Sequence, residues 1–92
     1  MAVPPDNRVR VAALKRELNT GIVMAHLAIE ESGSGKPKTA HQAHENARHA
    51  YSTFTRCLPK AEPYFTLSDQ IEIDKKRAEL EALIVLFDER QL

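Results

Sequence analysis

The sequence predicts an all-α protein, a three-helix up-down-up antiparallel bundle. Three observations carry that expectation. Three long segments repeat their apolar residues at helical spacing. Clusters of Gly, Ser and Pro punctuate the chain between them. No segment shows the two-residue alternation of a half-buried strand. The 92 residues form one helical domain spanning 1–92.

The first helix is expected over 6–31. Pro4-Pro5 precedes it, and Asp6 has the side chain of an N-cap. Val11, Leu14, Leu18, Ile22, Ala25 and Ile29 mark one face. Ser32-Gly33-Ser34-Gly35-Lys36-Pro37 closes it, with Gly33 as the expected left-handed C-cap and Pro37 as a stop. The second helix is expected over 39–58, opened by a capping box between Thr39 and Gln42. Ala40, Ala43, Ala47, Ala50, Phe54 and Cys57 form its inner stripe. Four alanines on one face let a neighbouring helix come close. Pro59 and Pro63 bracket the next connection, where Tyr64 and Phe65 are placed to fold back over the bundle end. The third helix is expected over 68–90 with Ser68 as N-cap. Connections of about seven to nine residues join antiparallel neighbours.

The core is expected to hold Leu14, Leu18, Ile22, Ala43, Ala47, Phe54, Leu80, Ile84 and Phe87. It must be thin, since a chain this short buries only about 60–65% of its unfolded surface. Apolar residues are nevertheless in surplus. At about 100° per residue, Ile73, Leu80, Leu83, Ile84 and Phe87 share one face of the third helix. Ile71, Ala78, Ala82, Val85 and Leu92 fall opposite. A helix apolar on every side is covered on every side. An interface is therefore expected at Val23, Met24, Leu27, Ala82, Val85, Leu86 and Leu92, where the ends of helices one and three lie together. A homodimer is the simplest partner, with a different protein as the alternative.

Thirteen basic and thirteen acidic residues balance, which argues against a nucleic-acid role and removes a barrier to self-association. One cysteine forms no internal pair, the opening residues lack a signal-peptide pattern, and no apolar run reaches membrane length. A cytoplasmic protein with no membrane partner follows as the expectation.

Chemistry-bearing residues are few. His41, Glu45 and His49 recur every four residues, and His44 follows His41 by three. Imidazole and carboxylate at such spacing suit a shared metal, and His26 falls at a matching level on helix one. Yet His44-Glu45 is followed by His49, one residue beyond the H-E-x-x-H spacing, and Arg48 opposes a cation. The stripe reads as a solvated face. Gly33-Ser34-Gly35-Lys36 fails the phosphate-loop pattern, with Pro37 where Ser or Thr belongs. Cys57 reads as a small packing residue. The sequence thus yields no catalytic residues, no cofactor and no metal. The expected role is a non-enzymatic, homo-oligomeric protein-association module. The alternative is a helical metal-binding protein or enzyme using His26, His41, His44, Glu45 and His49.

Overall fold

A computed structural model describes residues 5–91, with side chains described from Asn7 to Gln91. Leu92 and the side chain of Asp6 lie outside the described residues. Three helices form an up-down-up bundle: α1 (Pro5–Gly33), α2 (Pro37–Ala61) and α3 (Leu67–Arg90). A short 3-10 turn, Glu62–Tyr64, joins α2 to α3. No strand occurs among the described residues.

Each helix runs further than its sequence signals indicate. α1 already includes Pro5, so Asp6 sits inside the first turn rather than ahead of it. At the other end Gly33 stays helical, and Gly35 takes the left-handed conformation at φ 75°. Lys36 N donates to Glu31 O at 3.0 Å and Gly35 N to Ser32 O at 3.3 Å. These are the two bonds of a Schellman cap, which needs its glycine one step past the last helical turn.

Pro37 does not stop a helix; it starts one. It occupies the first turn of α2, where a missing N–H costs nothing. Thr39 is thereby drawn inside the helix, and the Thr39–Gln42 box does not form. Gln42 instead bonds Asn46 at 3.2 Å. α2 also continues through Pro59 to Ala61, because Ala61 extends the buried stripe. At α3 the N-cap is Thr66, not Ser68. Asp69 N donates to Thr66 Oγ1 at 3.1 Å, and Thr66 N donates to Asp69 Oδ2 at 2.9 Å. This reciprocal box satisfies two backbone donors at once.

Val11, Leu14, Leu18, Ala25, Ala47, Phe54, Ala61, Ile73 and Leu80 form the main core. Ala28, Ala40, Ala43 and Phe87 form a second cluster toward the α1–α2 turn. Ile22 and Ile84, expected in the core, are only half-buried. Phe65 packs on the core from the connection, whereas Tyr64 stays exposed. Cys57 is exposed as well. It sits at the edge of the α2 stripe, facing Arg10 and Ala13 across a shallow depression, rather than under α1.

The alanine face of α2 packs closely on α1, and α3 lies mainly against α1. The helices approach closely at Gly21. A Cβ there would stand 2.6 Å from Leu80 Cδ2 and 3.4 Å from Ala50 Cβ. The molecule is elongated, 55 × 19 × 17 Å. That width is about two helix diameters, so every helix keeps an outward face.

Candidate functional site

α3 forms two seams of unlike character. On its α1 side, Asp69 is almost fully buried beneath two cations. Arg8 Nη1 lies 2.9 Å from Asp69 Oδ2, and Lys15 Nζ lies 2.7 Å from Oδ1. Lys15 also reaches Glu72 at 3.4 Å, and Lys76 pairs with Glu72 at 3.0 Å. Hydrogen bonds from Arg8, then Lys15, then the Thr66 backbone hold the Asp69 carboxyl far below the ordinary carboxylate range. Burial of Asp69 opposes these bonds and is outweighed by them. The same bonds raise Lys15. Every charge in this cluster is satisfied within the chain, which makes it a clamp between the starts of α1 and α3.

On its α2 side, α3 stands off. A groove of about 690 Å³ runs between α2 and α3. Tyr51, Ile84 and Val85 give it an apolar lining, and Val85 is 53% exposed. Arg48 and Arg56 rise from the α2 wall, while Glu81 and Asp88 rise from the α3 wall. Ser52 and Thr55 lie between the arginines. Tyr51 Oη donates to Glu81 Oε2 at 2.6 Å across the groove. Among the described residues, Arg48 and Arg56 make no ion pair. The Tyr51 and Phe54 rings keep this seam wide, whereas glycine and alanine let the others close.

The structure separates the apolar residues that the sequence groups together. Val85 lines the α2–α3 groove. Val23 lines a depression on the outer face of α1 with Arg16, Asn19, Thr20 and Met24, and shares no lining residue with the groove. Met24 and Leu27 are half-buried against the core clusters and are largely spent inside the fold. Ala82 and Leu86 are exposed on α3 outside the groove. Leu92 lies outside the described residues. The groove walls Arg48, Arg56, Glu81 and Asp88 were not legible as a set. Their only sequence signal is that Glu81 and Asp88 are seven residues apart on α3, and Arg48 and Arg56 eight apart on α2.

The histidines do not converge. His26 is exposed, with Nε2 3.9 Å from Glu79 Oε1. His41 meets the edge of Phe87 at 5.8 Å, and Glu45 and His49 face solvent. His44 lies at the edge of the buried α2 stripe, apart from the solvent-facing run of His41, Glu45 and His49. It is buried and stacked on Phe87 at 4.2 Å, because the second core cluster extends around α2 to reach it. Its Nε2 is 3.0 Å from Asp88 Oδ1 but not aligned for a hydrogen bond, so neither ring nitrogen has a hydrogen-bond partner among the described residues. No group of three or more His, Cys, Asp or Glu side chains able to hold a metal occurs among those residues. No described helix is long and apolar enough to cross a membrane.

Fold and groove together define a small helical bundle with an open seam between α2 and α3. Comparison with family models, with curated proteins and with solved structures finds no match.

Proposed function

We propose that this chain is a non-enzymatic protein-association module that works as a homo-oligomer in the cytoplasm. The observation that carries the reading is the open α2–α3 groove, with Val85 half-exposed beside Ile84 and Tyr51. Apolar side chains gathered along a concave strip gain free energy when a partner covers them, by about 25 cal/mol for each Å² removed from water. Balanced charge adds no long-range repulsion between copies. The exposed thiol of Cys57 fits a reducing compartment.

Sedimentation at micromolar concentration is the test. The parent chain is expected to run above its monomer mass of 10.4 kDa. Val85→Glu places a charge among the groove's apolar residues and is expected to shift the population to monomer with helicity unchanged. A parent that stays monomeric at about 100 μM, a concentration at which specific interfaces are well populated, overturns the reading.

A further inference from the structure

The two walls of the groove carry opposite charge, and that limits what fills it. α2 and α3 run antiparallel, with His44 beside Asp88 and Tyr51 beside Glu81. The same register sets Arg48 level with Ile84, between Glu81 and Asp88. At about 1.5 Å per residue, Arg48 is about 4.5 Å along the axis from Glu81 and about 6 Å from Asp88. Those offsets are within the span of an arginine side chain. Arg56 lies lower, about 7.5 Å along the axis from Glu81.

We propose that the groove is closed by the same groove of a second copy, related by a two-fold axis parallel to the helices. The proposal rests on the association reading above and names its partner and its geometry. A two-fold axis along the helices preserves height and exchanges the walls. The arginine wall of each copy then meets the Glu81–Asp88 wall of the other, at the levels just given. A two-fold axis across the helices does the opposite, setting arginine wall on arginine wall and acid on acid. Both arrangements stack the two α2–α3 pairs into a four-helix layer with antiparallel neighbours. Charge alone separates them, and like charges facing across an interface are strongly unfavourable.

In the parallel arrangement Tyr51, Ile84 and Val85 of both copies line the middle of the four-helix layer. Arg48 and Arg56, which make no ion pair among the described residues, gain carboxylate partners around it. Each contact is made twice, as a closed two-fold requires.

Two charge-reversed proteins test this against the parent. One carries Arg48→Glu and Arg56→Glu, so both its walls are acidic. The other carries Glu81→Arg and Asp88→Arg, so both are basic. All four positions involved are solvent-facing, and circular dichroism of each variant checks that the bundle is intact. Each variant alone is expected to self-associate at least about tenfold more weakly than the parent, since its facing walls repel. An equimolar mixture is expected to recover a dimer, made of one copy of each. If the parent associates but both variants alone associate as tightly, the two-fold arrangement is overturned while the association reading stands. Tighter self-association of either variant than of the parent also overturns it. A parent that does not associate overturns both.

Discussion

The two seams of α3 solve the same packing problem in different ways. Against α1, the seam is shut by Gly21 at its middle and by Asp69 with its two cations at one end. Against α2, the Tyr51 and Phe54 rings hold the helices apart, and the Tyr51–Glu81 bond and the His44–Asp88 contact span the gap. One flank of the helix is thus fully satisfied inside the chain and the other is left with apolar and charged groups facing water. The difference shows that a short bundle can finish folding with one seam open, provided a second seam locks the helix in place.

Leu80 stands where both seams meet, fully buried and touching the space kept free by Gly21. Leu80→Ala therefore breaks the comparison at its root. Chemical or thermal unfolding is expected to show a loss of about 2–5 kcal/mol, the usual range for truncating a core leucine. A variant as stable as the parent places the centre of the bundle elsewhere.

The closed seam is tested through Asp69. Asp69→Asn removes the charge that Arg8 and Lys15 share and is expected to cost about 1.5–3 kcal/mol at pH 7, the range for hydrogen bonds to charged groups. The pH dependence fixes the sign. The carboxyl is held below its ordinary value of 3.8, so its stabilisation is complete above about pH 5 and fades as pH falls below that value. The stability gap between parent and variant is expected to be flat from pH 5 to 8 and to narrow below pH 4. A gap that stays constant into acid shows that the Asp69 charge does not carry its contribution to stability.

At the open seam the expected effects are smaller. His44 is buried on Phe87 with neither ring nitrogen hydrogen-bonded. His44→Leu replaces an unpaired polar ring by an apolar side chain and is expected to raise stability at pH 8 by about 1 kcal/mol. A loss instead shows that the Asp88 contact or the ring stacking supports the fold. Tyr51→Phe deletes the bond across the groove and is expected to cost less than about 1 kcal/mol, since the pair is exposed. If Tyr51→Phe costs as much as Asp69→Asn, the two seams are held with equal force and the contrast between them fails.

The sequence by itself determined the number of helices, their order and most of the core. Periodicity is a local property: Leu14, Leu18, Ala47, Phe54, Leu80 and Phe87 lie on the stripes that bury because a 3.6-residue turn puts them there. Helix ends are less sharply specified along the chain. Gly33 and Gly35, Thr39 and Pro37, and Ser68 and Thr66 each offer competing signals, and the choice falls to the copy that lets the next stripe residue reach the core. What only the tertiary structure decided is how the surplus divides. Helix periodicity identifies Val23 and Val85 as outward-facing but says nothing about the direction in which each outward face points. That depends on how α3 leans, and it leans toward α1 because Gly21 admits Leu80 there while Tyr51 and Phe54 keep α2 at a distance. The same lean sends Val23 and Val85 to separate surfaces, buries His44 beneath Phe87, and gathers Arg48, Arg56, Glu81 and Asp88 from two helices around one groove. Contacts between residues dozens of positions apart are set by the sizes of side chains across a seam, and no spacing along the chain records them.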